Sequence, residues 1–480
     1  MYIVLHNGTT PKRSLGSIRE QVGKGPRLEN VDIDKKKDSF QSYVVNISSE
    51  IIKKKGTPMD NRLHTYEPIC KDFLGSFELR REKEHKREMC EELREEIEMR
   101  DDAIFREADR RCSCCGGMMH SHGKTNAIRY FAVCGEVSVK LRRLRCTACH
   151  HIFVPGSYLV PDDGVSAVLS ERICDLSCKM PYAKAADSLY IQHGIMMSDT
   201  KFWEQVQKES SKIGDVIRDE TNRLYETGEI PDCIDLAGEK PLIIGVDGGW
   251  VKGWKQNPSF EVKCATIATG SIPGKGKRNH LTDRVGYAAL CSVDEFRQRI
   301  SLLAIKSGYL TASIRIFVSD GASWIGKMIE DYFPEAVHVL DMYHLKNKVH
   351  ALFGLKAEGL DRDICEKALA ACDRYEPAAI IASVSSWMPS DKGKLDAKTE
   401  LIHYIENNSK AIQNHNLVHI HGSGWIEKGV DLMISRRLKN RGMAWTVNGS
   451  AHMIPFSVLR FNKQWSVYWN KRKGNELVAA

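Results

Sequence analysis

The sequence has no apolar run that approaches the roughly 18 residues of a membrane-spanning helix. Its first residues, MYIVLHNGTTPKRS, also lack the apolar stretch of a secretory signal peptide. These absences argue against a membrane protein and against a secreted one. They predict a cytoplasmic protein, and the DNA-related features described below extend that prediction to association with the nucleoid.

The chain also lacks the cysteine density of a small disulfide-stapled protein, because its 15 cysteines are scattered through 480 residues. We therefore expect reduced thiols. A composition of 42% hydrophobic and 28% charged residues argues against disorder. The length predicts three or four folded units rather than one core.

No sign of charge dominates, since the formal net charge is only +8. Its distribution is more informative. Between 428 and 473 the sequence has ten basic residues and a single acidic one, Asp431, with aromatic residues interleaved. Such a segment suits phosphate neutralisation and base stacking, although a plain solvated basic face has the same pattern. The residues are Lys428, Arg436, Arg437, Lys439, Arg441, Arg460, Lys463, Lys471, Arg472 and Lys473, with Trp445, Trp465, Tyr468 and Trp469.

Four of these basic residues are the predicted contacts to double-stranded DNA: Arg436, Arg437, Lys439 and Arg441. They lie within six positions, so on a helix they cover most of its circumference. If one side of that helix packs on the sheet, some of them must point along a groove that leads DNA to the active site.

Composition and periodicity divide the chain into segments. Met89, Leu93 and Ile97 recur every fourth residue within a dense mixture of both charge signs, which predicts a long charged helix that is exposed or self-associating. The predicted segments are a poorly ordered extension (1–60), the charged helix (61–111), a zinc ribbon (112–160), a helical, helix-turn-helix-like DNA-binding region (161–235), the first part of an α/β core (236–354), a helical insertion (355–420), the glutamate helix of that core (421–455) and a basic aromatic tail (456–480).

Two Cys-x-x-Cys pairs, Cys112 with Cys115 and Cys146 with Cys149, flank alternating strands. Four thiolates in this pairing form a closed tetrahedral site, so the sequence predicts a structural Zn²⁺. The 30 residues between the pairs exceed the usual spacing of about 15–20, which a longer hairpin accommodates. Neighbouring residues leave the choice of ligands open: Cys114, His120, His150 and His151.

The next region predicts short helices. A turn that contains Gly194 separates two helical patterns, and Ser198 or Asp199 is a good N-cap for the second. This outline is typical of a helix-turn-helix, whose second helix enters the major groove of DNA. A plain three-helix bundle has the same outline.

From Pro241 the pattern becomes three strands, helix, strand, helix, strand, which is the element order of an RNase H-like α/β fold with a mixed sheet. Asp247 and Asp320 end two apolar strand runs, in IIGVDGGW and IFVSDGASWI. Glu427 lies one turn into a basic helix, in GSGWIEKGVDLMISRRLKNRG.

Strand ends of one sheet bring such carboxylates together, and three carboxylates suffice for two Mg²⁺ or Mn²⁺ ions that drive an in-line attack on a phosphodiester. The glycines that follow Asp247, at Gly248 and Gly249, are interpreted as room for a phosphate. Asp-Gly is also a common turn, so either aspartate alone has a plainer explanation.

The segments VDGGWVKG, VSDGASWI, FPEAVHVLDMYHLKNKV and GSGWIEKGVDLMISRRLKNRGMAW resemble the DDE transposases of prokaryotic insertion sequences, in particular the ISLre-two group. That group is similar to the Mutator-like superfamily and is often described as an uncharacterised protein family. The resemblance covers roughly residues 60 to 460.

The resemblance implies that Asp247, Asp320 and Glu427 are the catalytic triad, and that residues 355–415 are the helical insertion that precedes the glutamate helix. Asp341 and His344 match the acidic-x-x-His element of these superfamilies, which implies an auxiliary place near the active site. A histidine that merely packs in the core is the alternative for His344.

The predicted function is therefore a transposase that binds the terminal inverted repeats of an insertion sequence, cleaves the strand ends and joins them to target DNA. A homo-oligomer assembled on DNA is expected. Two alternatives stay open: a non-catalytic regulator that binds DNA through the zinc ribbon and helix-turn-helix, and an RNase H-like nuclease without joining activity.

Overall fold

A computed structural model describes residues 73–230, 240–273, 279–354, 357–389, 391–418, 424–439 and 442–474. The predicted N-terminal extension and Arg441 lie outside the described residues. The chain divides into two compact units, Met1–Glu78 and Leu79–Ala480, and the second contains every feature discussed below except the first residues of helix α1.

Helix α1 (Phe73–Glu107) carries the apolar repeat that the sequence shows. Met89, Leu93 and Ile97 pack against a buried cluster that includes Val139, and Ile97 is only 6% exposed. The apolar stripe of the helix is thus covered within the chain. Most of the other residues of α1 are exposed, as expected of a long charged helix, whereas the stripe packs on strands some 40 residues downstream, which periodicity cannot reveal.

The cysteine-bearing region is built from short antiparallel strands. They form a three-stranded sheet in the order β1–β4–β5 and a separate hairpin of β2 and β3. The strands are β1 (Met119–Lys124), β2 (Ile128–Ala132), β3 (Gly135–Val139), β4 (Arg142–Cys146) and β5 (Ile152–Phe153).

Three helices follow: α2 (Ala167–Lys179), α3 (Tyr182–His193) and α4 (Asp199–Thr227). Gly194 ends α3 in the left-handed conformation, at φ 61°. Ser198 caps α4, since its side chain accepts a hydrogen bond from the backbone N–H of Lys201. The predicted helices and their turn are present, and the reading of DNA by this region stays a prediction.

The central sheet has five strands in the order β10–β7–β6–β11–β12. β7 runs antiparallel to both of its neighbours, β6 and β10, whereas β6, β11 and β12 are parallel to one another. A small hairpin of β8 and β9 intervenes between β7 and β10. The strands are β6 (Leu242–Val251), β7 (Phe260–Ala268), β8 (Gly270–Pro273), β9 (Asn279–Thr282), β10 (Val285–Ala289), β11 (Arg315–Ser319) and β12 (Val337–Leu340).

Helices α5 (Val293–Lys306) and α6 (Ser323–Tyr332) make the crossovers between parallel strands and bury one face of the sheet. Ser292 and Glu295 form a capping box at the start of α5. The other face of the sheet is left for the last part of the chain. The result is a mixed α/β architecture.

After β12, helix α7 leads into a helical group with its own apolar core, which also takes in Leu340 and Leu345. Two side chains fasten this group to the outer edge of β12. Asn414 Nδ2 donates to the carbonyl of His338 at 2.7 Å, and His415 Nε2 bonds that of Leu340 at 2.6 Å. The helices are α7 (Met342–Phe353), α8 (Gly359–Asp373), α9 (Pro377–Ser385), α10 (Lys392–Asn407) and α11 (Ser409–Gln413).

The chain then returns to the open face of the sheet. A short helix α12 (Gly424–Val430) passes through a π-helical turn (Asp431–Ser435) into α13 (Arg436–Leu438). The helices α14 (Val447–Phe461) and α15 (Trp465–Arg472) complete the fold. Over the part of the chain that the structure describes, no helix is long and apolar enough to cross a membrane.

The predicted basic aromatic tail has a different role from the one expected. Trp469 is fully buried, and the hydroxyl of Tyr468 donates to Glu209 of α4 at 2.9 Å. Arg472 forms ion pairs with Glu209 and with Asp163. These aromatic and basic side chains are therefore used within the chain, where they hold α15 against α4 and against Asp163.

Candidate metal centre and candidate active site

The four predicted zinc ligands, Cys112, Cys115, Cys146 and Cys149, converge on one point. Their sulfur atoms all lie within 4.8 Å of one another. The Sγ atoms of the two cross-pairs, Cys112 with Cys149 and Cys115 with Cys146, are each 3.5 Å apart. This set of soft donors can hold a structural metal such as zinc in a closed tetrahedral site.

Each cysteine pair lies in its own backbone turn, and the two turns have the same geometry. In the first, the N–H of Cys112 donates to the carbonyl of Gly117 at 2.8 Å, and Gly116 has a positive φ of 71°. In the second, the N–H of Cys146 donates to the carbonyl of His151 at 2.9 Å, and His150 has a positive φ of 59°. Each turn therefore needs a left-handed residue directly after its second cysteine.

Backbone amides prepare these thiols to ionise. Hydrogen bonds from the amides of Cys149 and Ala148 lower the pKa of Cys146 to about 6. The amide of His151 also favours the thiolate of Cys149, but the neighbouring sulfurs outweigh it and raise the pKa of that thiol to about 12. All four sulfurs can therefore be deprotonated together only when a cation lies between them.

Three aspartates form a row at one edge of the central sheet. The ladder between β6 and β11 ends at Val246 and Ser319, and that between β11 and β12 ends at Ser319 and Leu340. In each of the three strands the residue after the last of these pairs is an aspartate, and the N–H of Asp341 still donates to the carbonyl of Ser319 at 2.7 Å. We call Asp247, Asp320 and Asp341 the carboxylate row.

The three aspartates of the carboxylate row lie on the same face of the sheet, because side chains alternate between faces along a strand. Ile243, Ile316, Val318 and Val339 pack in one cluster, and the aspartates continue the same alternate positions along their strands. Ile426 of α12 belongs to that cluster. The helix that carries Glu427 therefore covers the face on which the row lies.

The sequence suggested that a strand ends at Asp247, but β6 continues beyond this residue. β6 continues to Val251, because its antiparallel neighbour β7 pairs with it as far as Phe260. Asp247 instead marks the place where the parallel neighbour β11 stops. Its carboxylate is thereby left beside the loop that follows β11.

Repulsion and burial act on the row together. Burial raises the pKa of Asp247. The backbone amide of Gly248 and the nearby His344 oppose this increase, while Asp320 and Asp341 add to it. The charges of the row are close enough to interact, and a cation placed among them would relieve their repulsion.

Sequence reasoning missed Glu261, which lies beside the row at the start of β7. Its pKa is raised by burial, and the charges of Asp320 and Asp247 contribute, whereas Lys263 opposes them. A Cβ on Gly248 would meet the Glu261 carboxylate oxygen at 1.8 Å, so that glycine makes room for a side chain of the protein. The sequence signal that could have identified Glu261 is an acidic residue within the largely apolar run of β7.

Asp341 and His344 form a pair at the start of α7. Asp341 is 5% exposed, caps the helix through the N–H of Tyr343, and contacts His344 Nδ1 at 2.6 Å. This hydrogen bond is the largest cause that raises the pKa of His344 to about 8, and Asp247 and Asp320 add to it. His344 therefore carries a proton at neutral pH and faces the carboxylate row.

The helical group reaches the row as well. Tyr404 of α10 donates its hydroxyl hydrogen to the backbone carbonyl of Asp320 at 2.5 Å. Gly321 has a φ of 80° and lies so close to Asn408 that a Cβ there would approach the amide to 2.8 Å. The loop after β11 is thus fixed from the side of the helical group.

The three predicted catalytic residues are brought to one face but not into one compact cluster. Among the described residues, the four cysteines alone form a set of three or more His, Cys, Asp or Glu side chains with ligand atoms within 4.8 Å of one another. Asp247, Asp320 and Glu427 do not form such a set. Glu427 itself is half-buried in the first turn of α12.

The predicted DNA contacts divide. Arg437 is only 5% exposed; its Nε donates to the carbonyl of Ser177 at 2.6 Å and its guanidinium stacks on Trp445 at 4.6 Å. We therefore withdraw Arg437 as a DNA contact, because its charge is already used to join α13 to α2. Arg436 and Lys439 are exposed.

The fold and the two sites describe a mixed α/β protein that has a four-cysteine centre and a separate carboxylate row at the edge of its main sheet. Residues 235–473, about half of the chain, match UPF0236, an uncharacterised protein family. This part of the chain contains the whole carboxylate row and Glu427, and it is similar to that family. No curated protein matches the chain significantly.

Proposed function

We propose that the central sheet is an RNase H-like core and that the protein is a transposase, which cuts and joins DNA with divalent metal ions. The topology supports the fold assignment. Three antiparallel strands are followed by two that run parallel to the first, in the order β10–β7–β6–β11–β12. A helical group then precedes the return of a glutamate-bearing helix to the sheet.

The observation that carries the proposal is the shared face. Asp247 and Asp320 occupy adjacent register positions on neighbouring parallel strands, and α12 packs on the face to which both belong. Two aspartates from strand ends and one glutamate from a covering helix are a suitable donor set for hard divalent cations.

Asp247, Asp320 and Glu427 would hold Mg²⁺ or Mn²⁺. The bound metals would activate the attacking water or 3′-hydroxyl and stabilise the leaving oxygen of the phosphodiester. The donors are all carboxylates, and burial together with the charges of Asp320 and Asp341 raises the pKa of Asp247, so a divalent cation among them would be stabilising. The side chains would converge when the cations bind.

Other residues complete the proposed site. His344 carries a positive charge beside the row and is placed to contact a phosphate oxygen, while Asp341 orients its ring. The four-cysteine centre would hold structural zinc and, with α2 to α4, engage the element ends of double-stranded DNA. Assembly of a homo-oligomer on the DNA belongs to the same proposal.

The test uses three size-conserving variants, Asp247→Asn, Asp320→Asn and Glu427→Gln. Each removes a ligand charge without changing side-chain size, so Mg²⁺-dependent strand cleavage and joining should be lost while DNA binding persists. The probe is a duplex that carries the inverted repeats found in the DNA flanking the gene. Glu330→Gln, which removes an exposed charge from α6, is the matched control and should retain activity.

Each outcome distinguishes the proposal from its alternatives. Near-normal cleavage by any one of the three variants would remove that residue from the metal site. Binding of the wild-type protein to DNA without cleavage in Mg²⁺ or Mn²⁺ would favour the regulator. Cleavage without strand joining would favour the nuclease.

A further inference from the structure

A concave groove of about 690 Å³ opens at the far end of the α12–α13 helix from Glu427. Four separate parts of the chain form its walls: the end of α2, the turn between β9 and β10, the α12–α13 helix and the end of α14. We call this the basic groove. Its lining residues are Cys178, Lys179, Leu281, Thr282, Asp283, Arg284, Leu432, Arg436, Arg437, Ser457, Arg460, Phe461 and Lys463.

Charge in the basic groove is strongly one-sided. The lining has six cationic side chains and one carboxylate, Asp283. Two acids at its margin compensate some of the cations: Asp175 pairs with both Lys179 and Arg460, and Asp431 pairs with Arg436. Six positive charges against three negative ones leave a net charge of three in a confined space.

Two of the cations are uncompensated. Among the described residues, neither Arg284 nor Lys463 takes part in an ion pair; the Arg284 guanidinium lies 6.0 Å from the ring centroid of Phe461. Arg284 is half-buried and Lys463 is exposed, so both are open to an anionic ligand, and hydrogen bonds between a cation and an anion are strong. These two residues are the part of the groove that points to a ligand.

The backbone that presents them is fixed. Asn462 bonds both main-chain groups of Gly286, with Oδ1 accepting from the N–H at 2.7 Å and Nδ2 donating to the carbonyl at 2.9 Å. This clamp joins the end of α14 to the edge strand β10. The residues beside Arg284 and beside Asn462, namely Asp283 and Lys463, both have positive φ, at 48° and 59°. The walls of the groove are therefore built rather than loose.

The groove and the carboxylate row are connected by one helix. Glu427 and Arg436 are nine positions apart, which corresponds to about 13 Å along a helix axis. A nucleic acid strand that lies along this helix would reach both ends of it. Spread over four chain segments, the cations match a polymer with repeated charges better than one small anion.

We propose that the basic groove binds the sugar–phosphate backbone of the DNA substrate, with Arg284 and Lys463 each neutralising one phosphate. This inference deepens the proposed function and rests on it for the identity of the ligand. The residues lie outside the Arg436–Arg441 segment that the sequence singled out, and the groove exists only because the fold brings four segments together.

The experiment measures duplex DNA affinity of the full chain against salt concentration in the presence of EDTA, so that no cleavage occurs. Each phosphate contact contributes about −0.9 to the slope of log affinity against log salt. The double variant Arg284→Gln/Lys463→Gln should lower that slope by about two units and weaken binding at 0.1 M salt by about 10- to 100-fold.

Two controls make the result specific. Lys327→Gln/Lys410→Gln removes the same charge from exposed positions elsewhere and should leave the slope unchanged. Arg284→Lys/Lys463→Arg keeps both charges and should retain wild-type binding. An unchanged slope in the Gln double variant, with an unaltered melting temperature, would overturn the groove proposal.

A separate readout in Mg²⁺ keeps the two proposals distinguishable. If the wild type binds DNA through the groove but does not cut it, the groove proposal stands and the transposase proposal fails. If the wild type cuts DNA while the double variant binds with the wild-type slope, the opposite holds. Binding of pyrophosphate in place of DNA would overturn the assignment to a polymer.

Discussion

Replacing His150 with glycine should strengthen the four-cysteine centre. His150 has a φ of 59°, in the left-handed region that side chains other than glycine resist. The equivalent position in the first turn is already a glycine, Gly116. Relief of the left-handed strain is worth about 1–2 kcal/mol, and the greater freedom of an unfolded glycine takes back about 0.4–1 kcal/mol. The net gain is about 0.5–1 kcal/mol.

That gain corresponds to a zinc release that is about two- to fivefold slower. The assay loads the full chain with Zn²⁺ and follows transfer of the metal to a chromogenic chelator, with thermal unfolding as a second measurement. Structural zinc contributes about 10 kcal/mol or more to local folding, so metal release reports opening of the turns.

His151→Gly is the matched control. His151 is the adjacent residue, has no positive φ, and contributes to the turn through its backbone carbonyl and amide, both of which glycine keeps. This variant should therefore lose about 0.5–1 kcal/mol through backbone entropy and release zinc faster. The two neighbouring substitutions are expected to have opposite signs.

Gly116→Ala tests the same reasoning from the other side. No atom lies within 4 Å of the position that its Cβ would take, so only the backbone conformation opposes the change. By the same accounting, zinc release should be about two- to fivefold faster. If Gly116→Ala is neutral, or if His150→Gly behaves like His151→Gly, then the turns do not depend on left-handed residues and the reasoning is wrong.

Two further predictions concern the other sites. Arg437→Met should lower the free energy of unfolding by about 1–3 kcal/mol in denaturant titrations, because the buried carbonyl of Ser177 loses its donor, whereas Arg436→Met at the exposed neighbour should change it by less than about 0.5 kcal/mol. Asp341→Asn should return the pKa of His344 from about 8 towards its ordinary 6.5 in an NMR titration of the imidazole. Since the folded-state pKa is the higher one, the stability that the wild-type pair contributes should be full below pH 6.5 and lost as pH rises through about 8; an unchanged His344 pKa in Asp341→Asn would contradict the pairing.

Features that depend on neighbours in sequence were predictable. The cysteine spacing predicted Cys112, Cys115, Cys146 and Cys149, which converge in the structure, because a Cys-x-x-Cys turn brings two sulfurs close together. The helix start at Ser198 follows from the capping chemistry of its own first turn. The apolar runs likewise gave the strands of the main sheet and their order along the chain.

Features that depend on distant residues were not predictable. Nothing in the basic segment distinguishes Arg437, which is buried against Ser177, from its exposed neighbour Arg436. The aromatic tail has the composition of a DNA-binding surface, yet Trp469 is in the core. In both cases the contacts are to residues more than 200 positions away: Arg437 bonds Ser177, and Tyr468, next to Trp469, bonds Glu209.

The glycines around Asp247 have a packing role that differs from the role suggested by the sequence. The sequence interpretation gave Gly248 and Gly249 the role of leaving room for a phosphate. In the structure, a Cβ on Gly249 would meet Ile434 at 2.8 Å, and one on Gly245 would meet Trp425 at 2.4 Å. Both glycines let the α12–α13 helix lie directly on β6.

This close approach has a consequence for the site. Since Gly245 and Gly249 flank Asp247 on the same face of β6, a side chain at either position would push the helix away from the strand beside the carboxylate row. On the side of the helix, Gly429 does the same, because a Cβ there would come within 2.3 Å of Thr266 on β7. The position of the α12–α13 helix on the face that carries the row thus depends on small residues that carry no chemistry themselves. In the metal site we propose, backbone packing sets the distance between helix and strand, and the side chains would converge when the cations bind.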